Sequence, residues 1–438
     1  MHVGARWGRG LNTERFPRSK TARLPGTVGV DDHPRSHFRS RQSTAVWVES
    51  VDAFFTARRS LALNTMPIPS PHSPSRGILL IADITGYTTF LKESELEHAH
   101  GVLSDLLSVL VEGTRPPLAI SRLEGDAVFS YGIDSGSVGG QTFVEMIEAI
   151  YVAFRRAIEQ MVLNTRCDCN ACANVGGLDL KFIVHHGEFL IQSIGTYREL
   201  VSIDVNVAHR LTKNSVTEST GIRAYAIYTA AAIDGLGIAH MTGEWLRHRE
   251  VYDAGEIECW VVGMSPIWVA ARNRSVIEIA DSEVRGKAAV EIALPMERVW
   301  DRLANPEYRR MLVGSDRQEL TGKRTGRLGK GDVFQCYHGN TVVPSVILEW
   351  LPFARILTKD LIHVPGATVY LLVDYTLQPI EGGTLLTMAC ARPTGSALGR
   401  AVFPSVLPKL MKGVETALAL FKDRVEAEAT MTAGLESL

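Results

Sequence analysis

Cysteine is scarce in this chain, six in 438 residues. That is too few for a scaffold stapled by disulfides, and reduced thiols in a cytoplasmic setting are the simpler expectation. Long hydrophobic runs are missing too. No stretch approaches the ~18 uninterrupted apolar residues of a membrane-spanning helix, and the N-terminus has no continuous apolar segment of the secretory kind. Charge of one sign is also absent as an excess, 46 Lys and Arg standing against 48 Asp and Glu. The balance is uneven, however. Residues 1–65 hold ten Arg and Lys20 against five acidic residues, about +6, which leaves about −8 for the rest. An acidic body is a poor match for nucleic acid, so none is expected as a partner.

What is present begins after that basic stretch. Residues 1–75, rich in Arg, Ser and Pro, read as a disordered leader, and Met66, just before PIPSPHSPS, is an alternative start. ILLIAD (78–83) reads as a buried strand. Ser94 to Glu97 forms a capping box for a helix with Leu96, Ala99, Leu103, Leu106, Leu107 and Leu110 at helical spacing. LAISRL and AVFSYG (118–123 and 127–132) read as two strands around a tight Glu-Gly-Asp turn. Residues 141–163 form a long amphipathic helix, LKFIVHHG and EFLIQSIG a strand pair broken at Gly187, residues 204–214 a short helix, and IRAYAIYT a further strand. This strand-helix-strand-strand-helix-strand order predicts a ferredoxin-like α+β unit over 76–265. A second α+β unit, over 283–430, opens with the strand VRGKAAVEIAL and a helix at Pro295. Six or so strand-like runs follow, and a closing helix 404–428 carries one apolar stripe, from Val406 to Val425. A strand, a helix, an antiparallel sheet and a closing helix predict a grip around a cavity.

Asp83 ends the first strand, and Asp126 stands at the turn between the next two. Two such aspartates are either turn residues or hard oxygen ligands for Mg²⁺ or Mn²⁺. Ile84, Thr85 and Gly86 lead into a helix whose free N–H groups suit a triphosphate. Asn206 and Arg210, four apart, share one helix face, either as an exposed face or as an amide to orient a sugar and a guanidinium to stabilise a reacting phosphate. Cys167, Cys169 and Cys172 are either three loop thiols or ligands of a second, zinc, site with a fourth donor from His185, His186 or a partner chain. In the second unit, Cys336 and His338 alternate on one strand face where a cavity would lie.

DITGYTTF, RLEGDAVFSY and VNVAHRL, in that order, resemble the three signature segments of the class III adenylate/guanylate cyclases over roughly 76–230. The resemblance implies a site with two divalent metal ions, Mg²⁺ or Mn²⁺, held by Asp83 and Asp126. It also implies ribose orientation by Asn206 and transition-state stabilisation by Arg210. Residues of one site come from opposite subunits in that family, so a head-to-tail homodimer is implied. Three positions depart from the pattern. The purine-reading lysine is replaced by Arg122, its acidic or threonine partner by Glu199, and a glycine by Ser202. Arg is not a neutral replacement for Lys. The cysteine segment is an insertion relative to ordinary cyclases. With the second unit, it resembles a bacterial family of unknown function in which a divergent cyclase domain precedes a START/polyketide-cyclase-like (SRPBCC) domain.

Two functions follow as expectations. One is a lyase of the nucleotide cyclase class acting in signalling, turning ATP, or less readily GTP, into the 3′,5′-cyclic nucleotide under control of a hydrophobic molecule or lipid in the second unit. The other is a catalytically inactive, nucleotide-binding or dimerising cyclase-like module coupled to a START-like carrier or sensor. Arg122 and Glu199 favour the second, and the Asp/Asp/Asn/Arg set favours the first.

Overall fold

ILLIA is apolar at successive positions because its strand is covered on both faces, which removes the alternation of a half-exposed strand. In the computed structural model, which describes residues 74–134, 138–164, 169–194, 197–252, 255–274, 276–321 and 327–435, strand β1 (Ser75–Thr85) lies between two antiparallel neighbours. The leader up to residue 73, Met66 and Cys167 lie outside the described residues. After β1 come helices α1 (Tyr87–Lys92) and α2 (Leu96–Thr114), strands β2 (Ala119–Leu123) and β3 (Ala127–Ile133), and helices α3 (Gly140–Asn164) and α4 (Asn170–Asn174). Next are β4 (Asp179–Ile194), β5 (Tyr197–Val201), α5 (Ile203–Arg210), α6 (Val216–Thr220), β6 (Tyr225–Thr229), α7 (Ala230–Leu236), β7 (Leu246–Tyr252), β8 (Gly255–Gly263) and α8 (Ser265–Arg272).

The sheet order is β2-β3-β1-β4-β6-β8-β7, with β5 paired to the far half of β4. Its first four strands, 2-3-1-4 with a helix before β2 and another before β4, make the ferredoxin-like core. Ile78, Leu80 and Ala82 face α2 and α3, where they pack with Leu106, Leu110, Ile147 and Phe154. Leu79 and Ile81 face the other way and pack with Val205, Ala208 and Leu211 of α5 and its 3₁₀ extension. Each such fully buried leucine contributes about 1.5–3 kcal/mol. Period-two alternation puts Asp83 in phase with Leu79 and Ile81, on the α5 side.

Two local expectations are corrected. Strand β4 runs unbroken through Gly187. The glycine is there for close approach, since a Cβ would meet Asp204 Cγ at 2.2 Å. The box at Ser94 is not the cap of α2 either. Its N-cap is Glu95, without a side-chain cap bond, because the Glu95 carboxylate accepts from Asn170 N, Asn170 Nδ2 and Ala171 N at 3.3, 3.1 and 3.2 Å.

The second lobe opens with β9 (Val284–Ile292), α9 (Met296–Ala304) and α10 (Pro306–Leu312). Then come β10 (Arg317–Thr321), β11 (Val333–His338), β12 (Thr341–Leu351), β13 (Arg355–Val364), β14 (Ala367–Ile380), β15 (Gly383–Ala391) and helix α11 (Ala397–Leu435). The strands form one antiparallel sheet in the order β10-β11-β12-β13-β14-β15-β9. Phe403, Val414, Leu418, Phe421 and Val425 are the buried face of α11, which is longer than the 404–428 expected and contains Pro404 and Pro408. The chain between the lobes is held down, Ile277 N donating to Glu349 Oε1 at 2.5 Å and Arg355 Nη1 to Ile277 O at 2.8 Å. Among the described residues no helix is long and apolar enough to cross a membrane.

Helix α3 joins the two sheets. Glu145, wholly buried, accepts from Trp300 Nε1 at 2.8 Å, Trp350 Nε1 at 2.7 Å and Gln141 Nε2 at 3.0 Å. Arg327 grips Glu148 through both terminal nitrogens, at 2.6 and 2.9 Å. Asp301 of α9 accepts from Gly139 N and Thr142 Oγ1 at the start of α3, at 2.8 and 3.0 Å.

Candidate functional site

Asp83 stands opposite Ala127 on β3 and Lys181 on β4. Its carboxylate is therefore beside the turn that holds Asp126, and Ile84 N donates to Asp126 O at 3.0 Å. Burial pushes both carboxyls above the ordinary aspartate value, and the Asp126 charge pushes Asp83 further the same way. A cation opposes this. Lys181 Nζ is 3.2 Å from Asp83 Oδ2 and donates to Thr212 O at 2.9 Å. Nothing in the sequence pattern singled out Lys181. Its direction across from Asp83 follows only from the register of β1 on β4.

Thr85 Oγ1 is buried next to this pair and has no hydrogen-bond partner among the described residues. Gly86 adopts φ 90°, the left-handed region that glycine tolerates, and begins α1. A groove of about 440 Å³ runs from Tyr87 past Leu103 and Leu107 of α2 to Leu123 and Gly125, beside the turn of Asp126. Two neighbouring carboxylates with raised proton affinity and an orphaned hydroxyl suit a pair of hard cations. In this chain Lys181 supplies part of the positive charge such a pair would bring.

Asn206 and Arg210 are one turn apart on the exposed side of α5, opposite Val205 and Ala208, which pack on the sheet. No described hydrogen bond joins either side chain to Asp83 or Asp126. Ser202 has a local reason to replace glycine, because its Oγ caps α5 by accepting from Val205 N at 2.9 Å. Tyr252 Oη donates to Arg210 O at 3.1 Å and steadies the end of the helix.

The two expected purine readers do meet. Arg122 Nη1 lies 3.5 Å from Glu199 Oε1, with both side chains substantially exposed. Arg122 Nε also donates to Glu124 Oε1 at 2.5 Å, and its Nη2 is 3.5 Å from His209 Nε2. His209 Nδ1 is 3.4 Å from Glu124 Oε2, and its ring meets Phe129 edge-on at 4.8 Å. Burial holds His209 below the ordinary imidazole value, although Glu124 pulls it up. Glu124 and His209 were not among the expected site residues, yet both lie within the quoted segments RLEGDAVFSY and VNVAHRL. Exposed Leu123, Val201 and Ile203, 55%, 45% and 79% accessible, flank this cluster.

The histidines expected beside the cysteines are elsewhere. His185 Nδ1 is 2.9 Å from Thr229 Oγ1 and its Nε2 is 3.2 Å from Asp204 Oδ1. His186 Nε2 is 2.8 Å from Asp134 Oδ1. Both are buried on the sheet, and among the described residues neither joins the cluster that His98 makes with Cys169 and Cys172. The imidazole that reaches those thiols is His98, whose Nδ1 is 3.0 Å from Cys169 Sγ.

In the second lobe Cys336 faces inward, 3.1 Å from Gln318 Nε2, whereas His338 at the strand end is exposed. The interior carries charge as well as apolar groups. Arg309 is 0% exposed, its guanidinium between the rings of Phe334 and Tyr375 at 4.7 and 4.5 Å. Among the described residues none of its three nitrogens has a hydrogen-bond partner, nor has Tyr375 Oη. Asp360, also buried, accepts from Ser345 Oγ at 2.6 Å, and burial raises its proton affinity.

Residues 103–220 match the model of a protein family of unknown function, DUF2652. The uncharacterized protein Rv2561/Rv2562 of Mycobacterium tuberculosis is 31% identical over 120 residues, 27% of this chain and 54% of that protein. The chain thus spans about half the length of the curated relative. Among solved structures, the guanylyl cyclase Cya2 aligns with a TM-score of 0.33 at 14% identity, covering 44% of this chain and 93% of that one. A bacterial light-regulated adenylyl cyclase aligns with a TM-score of 0.33 at 14% identity, covering 46% and 96%.

Proposed function

We propose that the first lobe is a divergent purine nucleotide cyclase, converting ATP, or less readily GTP, into the 3′,5′-cyclic nucleotide and pyrophosphate. The ribose 3′-oxygen loses its proton and bonds to the α-phosphorus, and the bond to the pyrophosphate oxygen breaks. Asp83 and Asp126 would hold two Mg²⁺ or Mn²⁺ ions, which neutralise the phosphates and activate the 3′-oxygen when bound. Ile84, Thr85 and Gly86 would face the phosphates. Arg122 donates to the purine and Glu199 accepts from it, Asn206 orients the ribose, and Arg210 stabilises charge developing on the phosphate. Zinc belongs to the thiols of the cysteine cluster, not to this oxygen site.

The observation that carries the reading is the approach of Arg122 to Glu199, from strands 77 residues apart in sequence, beside the face of α5 that exposes Asn206 and Arg210. Because that face turns outward, the site would be completed by a second copy of the chain in head-to-tail fashion, covering Leu123, Val201 and Ile203. The START-like second lobe would bind a hydrophobic molecule or lipid and signal through α3.

Two observations favour the inactive alternative. Arg122 already has Glu124 as a partner, and Asp83 already has Lys181. Titration of the purified protein with ATP and GTP in Mn²⁺, with cyclic nucleotide measured, separates the two readings. The proposal expects turnover and Mn²⁺-dependent binding that Asp126→Ala abolishes without loss of fold. Binding unaltered by Asp126→Ala would remove the metal role.

A further inference from the structure

Cys169 is the N-cap of α4 and Cys172 lies in its first turns, so the two thiols are three residues apart on one side of the helix. Facing them is His98, in the first turn of α2 and 71 residues from Cys169. The ligand atoms of His98, Cys169 and Cys172 all lie within 4.8 Å of one another, with His98 Nδ1 and Cys169 Sγ at 3.0 Å. The corresponding edges of a tetrahedral zinc centre are about 3.5–3.8 Å long. Small side-chain rotations thus convert one arrangement into the other.

The two helices are braced independently of any metal. Glu95, three residues before His98, takes three hydrogen bonds from the N-terminus of α4 through Asn170 and Ala171. Ala171, between the cysteines, is wholly buried against the core. The backbone therefore holds the three donors together at the rim of the lobe, with both thiols half-buried and the imidazole exposed.

We infer that His98, Cys169 and Cys172 form a zinc site. It deepens the expectation of zinc at the cysteine cluster by supplying its histidine from α2. Two thiolates and an imidazole prefer zinc to the Mg²⁺ or Mn²⁺ suited to Asp83 and Asp126. On binding, the two thiols release their protons to solvent and the imidazole binds in its neutral form, so no electron is transferred. Three protein donors leave one position of the tetrahedron to a further donor. The closed site pins the start of α2 to α4. It thereby fixes the far end of the segment that begins at Gly86 and carries α1, so its role is to hold the candidate phosphate turn in place.

The test uses the full chain purified without chelator. Elemental analysis should find about one zinc per chain, retained in the Asp83→Ala/Asp126→Ala variant, so that failure of the oxygen site leaves this result unaltered. Cys172→Ser should lose the metal, His98→Ala should bind it at least tenfold more weakly, and His98→Cys should keep it. Cobalt(II) exchanged into the folded wild type should give the near-ultraviolet absorption of thiolate-to-metal charge transfer, a readout that does not depend on any variant folding. Zinc absent from the wild type, zinc content indifferent to Cys172→Ser, or a cobalt spectrum without a sulfur band would each overturn the proposal.

Discussion

Lys181 sets the electrostatics of the acidic turn. Its ammonium, 3.2 Å from Asp83, offsets part of the cost of burying two neighbouring carboxylates. Replacement by Met leaves those carboxylates facing each other. Lys181→Met should therefore lower the melting temperature of the metal-free protein and tighten Mn²⁺ binding, by about tenfold if the charge is worth one pKa unit. Proton linkage gives a second readout in the same titration. Raised carboxyls contribute stability that is fully present below the ordinary aspartate value and lost as pH rises through the raised values. Mn²⁺ bound by these carboxylates would displace those protons, so its stabilising effect should grow as pH rises through that window. A melting temperature shift indifferent to both Lys181→Met and pH would contradict this account. Arg309 poses the opposite case, a buried cation with no hydrogen-bonding partner among the described residues and with buried Asp360 as its counter-charge. Removing one member of a buried charge pair costs about 3–5 kcal/mol, whereas replacing both by apolar groups is often neutral or stabilising. Arg309→Met should therefore lower the unfolding free energy in urea within that range, and Arg309→Met/Asp360→Leu should recover most of the loss. Stability unaltered by Arg309→Met would contradict this pairing.

At the scale of elements, α3 is the one that does most to couple the lobes. Its Glu145 takes hydrogen bonds from two indoles of the second lobe. Glu145→Leu would strand Trp300 Nε1 and Trp350 Nε1 in the interior, at about 1–3 kcal/mol for each unsatisfied donor. The expected result is a loss of about 2–6 kcal/mol in urea unfolding, whereas a loss below about 1 kcal/mol would mean that the lobes are not coupled through this carboxylate. The helix itself was legible in the sequence to within a residue at each end, because hydrophobic periodicity is a local signal. Its buried acid was not, since the partners are 155 and 205 residues away. The same contrast holds elsewhere. Strand β1 and the turn at Asp126 follow from short-range pattern, while the pairing of His98 with Cys169 depends on where α2 and α4 dock. Gly187 misled for a related reason: a glycine marks either a turn or a close approach, and only Asp204 in three dimensions decides between them. Ser94 misled because Glu95 had a better use for its carboxylate than its own helix.

For the whole molecule, a face with metal-type carboxylates and an outward face with Asn206 and Arg210 would give one chain half of each of two sites. Its most direct test mixes two variants. Asp126→Ala and Arg210→Ala should each be inactive alone with ATP or GTP and Mn²⁺. In a head-to-tail pair formed from one of each, one site carries both substitutions and the other carries neither. Refolded or co-expressed in equal amounts, the two should recover about a quarter of the wild-type rate of cyclic nucleotide formation. Recovery would require both the chemistry and the two-subunit site. Wild-type protein that makes no cyclic nucleotide, or active protein whose variants fail to complement, would contradict the account.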